Sequence, residues 1–405
     1  MLENWNVRLE ELFGEMVEWR RDFHMNPELS FEEVRTPQKI ADYLESLGIE
    51  VRTGVGGRGV VGTIRGGKPG KTIALRADFD ALPIQDQKDV PYKSTVPGVM
   101  HACGHDGHTA TLMAVAKVLS ENREQLHGNV VLLHQHAEEV APGGAAAMIA
   151  DGCLDGVDVV FGTHLNASLP YGLYGYRKGP MMAAADRFVI KINGKGGHGA
   201  YPHETVDSIA IGTQIVNQLQ HIVSRLVDPL KPAVVSVGSF HAGNAFNVIA
   251  DSAEISGTVR TFDPEVRDQI EREMKVIVNG ICAAFHATAE ITYERGYPPV
   301  VNHEAETNIF YEVMKNVVGE EKLVELDPKM GGEDFAYYLQ ERPGMFFNTG
   351  AENPEVGACY PHHHPKFDFD ERAMALAGQA FLAITHYYLY EMAVEDEAAI
   401  AVESV

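Results

Sequence analysis

Three apolar runs of strand length, residues 71–77, 129–134 and 157–162, each lead into residues of the kind that bind metals or carry protons. Helical patterns lie among them at residues 34–48, 108–119 and 143–150, and residues 59–64 read as a further strand. Strands that alternate with helices and carry unbroken apolar runs imply a mostly parallel sheet, covered by helices on both faces. Such a sheet places its chemistry beyond the C-terminal ends of its strands. The polar ends of these runs are therefore the first candidates for a site.

The middle of the chain has another rhythm. Residues 186–193 alternate as a strand, residues 204–226 give a long helix, and strands follow at 233–240 and 253–261. A helix over 264–285 opens with Asp263 as N-cap and Pro264 at its first position, and a strand closes the series at 288–294. The order β-α-β-β-α-β is that of the ferredoxin-like split unit. After Gly296-Tyr297-Pro298-Pro299, a linker by composition, the alternation resumes and ends in a helix over 370–390. A chain of 405 residues, 45% of them hydrophobic, can bury more than one core. The expected architecture is an α/β catalytic domain of residues 1–184 and 296–405, interrupted by an inserted ferredoxin-like α+β domain of residues 185–295.

A formal net charge of −24 argues against nucleic acid and against anionic membrane surfaces, both of which call for basic patches. No run is long and apolar enough to span a bilayer, and Met1-Leu2-Glu3-Asn4-Trp5 lacks the basic start and apolar stretch of a secretory signal. Cys103, Cys153, Cys282 and Cys359 are too scattered for a disulfide framework. The expectation is a cytoplasmic enzyme whose reduced thiols are free to bind metal.

The chemistry concentrates in five places in the outer segments. Arg76-Ala77-Asp78-Phe79-Asp80 ends a strand with two carboxylates that could orient a metal ligand or hold a metal, though strand-end aspartates often only cap a turn. His101-Ala102-Cys103-Gly104-His105-Asp106-Gly107-His108 gathers thiolate, imidazole and carboxylate around two glycines that let neighbouring side chains converge on an ion. His134-Gln135-His136-Ala137-Glu138-Glu139 leaves a buried strand with paired carboxylates, which repel unless a cation sits nearby. One could ligate while the other takes a proton from water. Gly162-Thr163-His164 ends another strand, and His362-His363-His364-Pro365 lies far downstream. A lone His is more often a satisfied polar residue, so His164 draws its weight from position.

Inside the insert, Gly194-Lys195-Gly196-Gly197-His198-Gly199 follows a strand, and His198 could donate to a developing oxyanion; an exposed hairpin is the plain alternative. Asn247 and Arg260 are candidates for gripping a carboxylate or amide. Gly331-Gly332-Glu333-Asp334-Phe335 reads as a turn opening a helix, where free N–H groups favour anions.

Together the segment 101–108, Ala137-Glu138-Glu139, Gly196-Gly197-His198, Asn247-Val248-Ile249 and Gly332-Glu333-Asp334-Phe335 resemble the aminoacylase/carboxypeptidase family of metal-dependent peptidases. The resemblance covers nearly the whole chain and is closest to the N-acyl-amino-acid amidohydrolase subgroup, which includes hippurate and auxin-conjugate hydrolases. It implies a dinuclear site held by Cys103, His105, Glu139, His164 and one histidine of 362–364, with His363 fitting the family's His-x-Pro pattern. It gives Glu138 the general acid/base position and makes the insert a lid and dimerisation domain that presents His198 across a homodimer interface, while Asp78, by its strand-end position, is expected to support a ligand. Two departures stand out. Arg76 occupies a position where the wider family, though not the subgroup, has a ligand histidine, and the usual Gln-Pro-Ala-Glu-Glu reads Gln135-His136-Ala137-Glu138-Glu139. The implied cofactor is a pair of divalent ions, zinc first and Mn²⁺, Co²⁺ or Ni²⁺ as alternatives, and the implied substrate is a small N-acyl amino acid. A dipeptidase or carboxypeptidase with the same centre, and a metal- or amino-acid-binding protein with vestigial activity, remain the rival expectations.

Overall fold

The structure, a computed structural model, describes residues 1–392; the end of the expected 296–405 segment, residues 393–405, lies outside the described residues. The chain divides into two compact units. The first comprises Met1–Met181, Val301–Asp327 and the chain from Asp334 onward; the second is Met182–Val300 with Pro328–Glu333.

Among the described residues, eight strands of the first unit form one sheet in the order Glu50–Val55, Gly59–Arg65, His127–Gln135, Lys68–Asp78, Val159–Pro170, Gly344–Glu352, Tyr174–Tyr176, Leu323–Glu325. The four strands from His127–Gln135 to Gly344–Glu352 run parallel, while Gly59–Arg65 joins antiparallel to His127–Gln135. The sheet is therefore mixed and mostly parallel. Registers level the strand ends that matter: Asp78 lies opposite Gln135, and Arg76 opposite Gly162, two residues before His164. The chain leaving each of these strands emerges at the same edge.

The helix His105–Glu121 is buried along nearly its whole length, as a helix apolar on all sides must be. It packs on Phe13–Met25 and Ala373–His386. Two helices precede the first expected element, Leu2–Glu11 and Phe13–Met25. They bury Trp5, Leu9, Leu12, Met16 and Phe23, a stripe at helical spacing whose remaining position is taken by the fully buried Arg20.

The second unit holds a four-stranded antiparallel sheet in the order Ala233–Ala242, Ser252–Thr261, Ala184–Asn193, Thr288–Arg295. Its strands alternate buried and exposed positions, and the helices Ser208–His221 and Pro264–Ala284 contribute Ile211, Ile215, Ile270, Met274 and Val278 to a core shared with Ile190, Ile192 and Ile255. Both helices are capped by aspartate: Asp207 accepts from the Ile209 and Ala210 N–H groups, and Asp263 from those of Glu265 and Val266. The first helix starts later than its pattern suggests, because Pro202–Glu204 forms a separate 3₁₀ turn, and it ends in a π-helical turn, Ile222–Leu226. No helix among the described residues is long and apolar enough to cross a membrane.

Candidate metal centre

Three tight backbone features deliver side chains to the shared edge of the first unit's sheet. Gly104, at φ +101°, turns the chain between Cys103 and the first residue of the His105–Glu121 helix. Three residues on, a Cβ at Gly107 would stand 2.5 Å from Phe369 Cζ, so only glycine lets the helix press this close. Ala137 and His363 hold left-handed conformations at φ 52° and 64° without being glycine. Such residues cost about 1–3 kcal/mol each and persist where the surroundings fix them. Here the Ala137 N–H donates to Glu33 Oε1 (2.9 Å) and the His363 N–H to the Ala102 carbonyl (2.8 Å).

The donor atoms of Cys103, His105 and Glu139 lie within 4.8 Å of one another, and so do those of Cys103, His164 and His362. Cys103 is shared by both triads. His363 Nε2 stands 3.4 Å from Glu139 Oε2, and Glu138 Oε2 stands 4.0 Å from His105 Nε2.

Hydrogen bonds sort the histidines by tautomer, because a carbonyl or carboxylate needs a ring N–H and a backbone N–H needs a ring lone pair. His105 Nδ1 donates to Asp80 Oδ1 and to the Asp80 carbonyl, both at 3.1 Å, which leaves Nε2 as the nitrogen turned to the cluster, buried and without a hydrogen-bond partner. His164 Nδ1 donates to the Leu165 carbonyl (3.0 Å), and its Nε2 faces Cys103 Sγ at 3.3 Å. His108 is the opposite case. The Leu165 N–H donates to its Nε2 (2.9 Å) and its Nδ1–H donates to Asp78 Oδ1 (2.6 Å), which leaves no lone pair for an ion.

The electrostatics ask for cations. Asp78, Asp80, Glu138, Glu139 and Asp334 gather at the strand ends, where Arg76 donates to Asp78 Oδ2 (2.5 Å), Asp334 Oδ1 (3.0 Å) and Gln135 Oε1 (2.9 Å). Burial and the carboxylates of Glu139, Glu138 and Asp78 push the Cys103 thiol well up. Burial works against charge on His105, but Asp78 and Asp80 overcome it and raise the imidazole to about 10, so the ring gives up its Nε2 proton when it ligates an ion. Burial, aided by His108 and His362, holds His164 far down, in the neutral form that ligates. Glu139 Oε1, like His105 Nε2, is buried without a hydrogen-bond partner. Two buried atoms without hydrogen-bond partners, a thiol resisting ionisation and a crowd of carboxylates fit a pair of divalent ions.

The sequence-derived candidates fall into two groups. Cys103, His105, Glu138, Glu139, His164, His363 and Asp78 all lie in the first unit and meet as described. His198, Asn247 and Arg260 belong to the second. There His198 pairs with Val248 in a two-residue ladder and is exposed, and the Ala200 N–H donates to its Nδ1 (3.1 Å). The exposed Asn247 accepts the Gly199 N–H through its carbonyl (2.8 Å), and half-buried Arg260 donates to the Val259 carbonyl (3.1 Å). Asp334, expected near an anion-binding turn, is itself the anion: it accepts from Arg76, Gln135 and the Ala145 N–H. Asp80 has a larger part than its sequence position suggests, since it also accepts from Ser30 Oγ (2.7 Å) and the Glu139 N–H (3.0 Å). Its signal was present in the Asp78-Phe79-Asp80 spacing; Glu33 carried none.

A carboxylate-rich cluster of cysteine, histidine and glutamate at the strand ends of a mostly parallel sheet defines a metal-dependent hydrolase. The chain belongs to peptidase family M20/M25/M40, whose model matches residues 74–386. It is 60% identical over 386 residues to YhaA of Bacillus subtilis (strain 168), covering 95% of this chain and 98% of that protein. It is 45% identical over 389 residues to thermostable carboxypeptidase 2 of Saccharolobus solfataricus (95% and 98%), and 50% over 296 residues to an N-acyl-L-amino acid amidohydrolase of Geobacillus stearothermophilus (73% and 80%). Among solved structures, YXEP of Bacillus subtilis, a dinuclear metal binding peptidase of the M20 family, superposes with a TM-score of 0.81 at 38% identity, covering 94% of this chain and 99% of that one. The chain is thus an amidohydrolase of a metallopeptidase family.

Proposed function

We propose that this enzyme hydrolyses the amide bond of N-acyl-L-amino acids, with Glu138 as the proton carrier beside two ions held by Cys103, His105, Glu139, His164 and His363. The observation that carries the reading is the sorting of donors: His105 and His164 engage Nδ1 elsewhere and turn Nε2 toward the cluster, while Glu138 stands at its margin. His363 is preferred from its run because its Nε2 lies on Glu139. When bound, the ions polarise the amide carbonyl and acidify a water enough for attack near neutral pH. Thiolate and imidazole donors favour zinc, while Mn²⁺, Co²⁺ and Ni²⁺ suit the same set.

Glu138 takes the proton from the attacking water and returns it to the departing amine, so the products are a carboxylic acid and a free amino acid. Asp80 and Asp78 do not react; Asp80 keeps the His105 ring oriented with Nε2 free to ligate, and Asp78 fixes the non-ligating His108, whose Nε2 accepts the Leu165 N–H. In the second unit, the proton excluded from His198 Nδ1 resides on Nε2, an exposed donor suited to an oxyanion. We assign His198 that role from a partner copy, with the inserted segment as lid and dimerisation domain and with Asn247 and Arg260 gripping the substrate carboxylate.

The test is Glu138→Gln. The rate is expected to fall by about 10²–10⁴ with both ions still bound; wild-type turnover at full metal content ends the assignment. The second reading, a carboxypeptidase, draws on the Saccharolobus relative. Assay across acetyl-, benzoyl- and aminoacyl-amino acids separates the two, and metal binding without hydrolysis anywhere on that panel would favour a vestigial binding protein.

A further inference from the structure

We propose that His362 is a positioning residue whose Nδ1–H donates a hydrogen bond to the Cys103 thiolate, steadying the sulfur that both donor triads share. This rests on the assignment of Cys103 as a metal ligand. By distance alone His362 resembles a ligand, since it groups with Cys103 and His164. Its hydrogen bonding says otherwise. The Ala167 N–H donates to His362 Nε2 (3.0 Å), and a backbone amide can only donate. The single proton of the neutral ring therefore sits on Nδ1, which faces Cys103 Sγ at 3.9 Å, within reach of a hydrogen bond to the large sulfur atom. A ring with one nitrogen accepting and the other protonated has no lone pair for an ion.

The ring is also fixed in place. It lies against Phe367, with centroids 5.1 Å apart, and meets His164 edge-on at 4.9 Å. Ala167 belongs to the same strand as His164, Val159–Pro170, so one strand supplies a candidate ligand and dictates the tautomer of its neighbour. The sulfur itself is crowded by carboxylates, Glu139 among them. A donor aimed at that sulfur stabilises the thiolate and draws off part of the charge it would give to two cations, a charge-assisted contact of the stronger kind. Partners of this sort are worth about 10–100-fold in metal affinity.

The experiment uses the full-length protein loaded with Co²⁺, reading the thiolate-to-cobalt charge-transfer band and the affinity against a chromogenic chelator. His362→Ala is expected to move the band to lower energy and weaken binding about tenfold or more, with two ions still bound per chain. His362→Asn, whose amide N–H₂ can occupy the place of Nδ1–H, is expected to restore both. An unmoved band with unchanged affinity in His362→Ala overturns the proposal, and so does loss of one ion per chain, which would make His362 a ligand. Should the alanine protein not fold, the unmutated protein loaded with cadmium decides: a through-sulfur coupling to the His362 Nδ1 proton supports the proposal and its absence overturns it. A wild-type cobalt protein without any thiolate band would instead refute Cys103 as a ligand, and the inference with it.

Discussion

Two buried charged clusters in the first unit differ in how their charges are met. Around Arg20 the account is complete. Its guanidinium donates to Asp106 (2.9 Å), Asp368 (2.7 Å) and Glu371 (3.2 Å) and lies over the Phe369 ring at 4.4 Å. His24 donates to Asp106 (2.7 Å) and accepts from Lys88 (2.8 Å), which also donates to the Phe367 carbonyl (2.8 Å). Around Cys103, carboxylates crowd together: Arg76 donates to Asp78 and Asp334, while both His105 Nε2 and Glu139 Oε1 lack a hydrogen-bond partner. A buried network that satisfies itself is scaffold; one short of positive charge is built to receive it. The two are joined through the chain, since Asp106 follows His105 and Phe367-Asp368 follow the histidine run. The satisfied cluster thus anchors two segments that supply the unsatisfied one.

If this division is right, the two clusters fail in different ways. Arg20→Met leaves Asp106 and Asp368 buried without their cation, and should cost about 3–5 kcal/mol in denaturant unfolding. A loss below about 1 kcal/mol would mean that the Arg20 cluster is not the anchor its geometry suggests. Asp80→Asn is the counterpart. It weakens the groups that fix the His105 tautomer and the Glu139 backbone, so metal affinity should fall about 10–100-fold in competition titration. The metal-free protein should unfold nearly as before. Unchanged affinity with a large loss of metal-free stability would place Asp80 in the scaffold and blur the comparison.

Much of the unsatisfied cluster was legible in sequence, because metal-binding residue types stand out when they recur at the ends of apolar strands, as at Glu138-Glu139 and His164. The satisfied cluster was not. Its members are ordinary charged residues, distant along the chain from Arg20 to Glu371, and nothing local marks a surface-looking arginine as fully buried. Arg20 also hid its own helix, by standing in the apolar stripe between Met16 and Phe23. The resemblance singled out His363 within the histidine run, but the tautomer of His362 was out of reach for a different reason. It depends on the Ala167 N–H, a backbone group that no side-chain pattern announces.

Glu33 belongs to neither cluster and gives the finest test of the distinction. It is fully buried; Oε1 accepts the Ala137 N–H, Oε2 has no hydrogen-bond partner, and Arg58 Nε stands 4.0 Å away. Burial, reinforced by repulsion from Asp80, pushes its carboxyl up to about 8 from 4.5. Between those values the folded protein keeps a proton that the unfolded chain has released. The corresponding stability is full below about pH 4.5 and is lost as pH rises through about 8. Glu33→Gln mimics the protonated acid at every pH. Its melting temperature should therefore gain on the wild type's from about pH 5 to about pH 9, and comparing the metal-free proteins keeps ion binding out of the difference. A constant difference across that range would mean that Glu33 is ionised throughout, with Arg58 as its partner, and would move it into the company of the satisfied charges around Arg20.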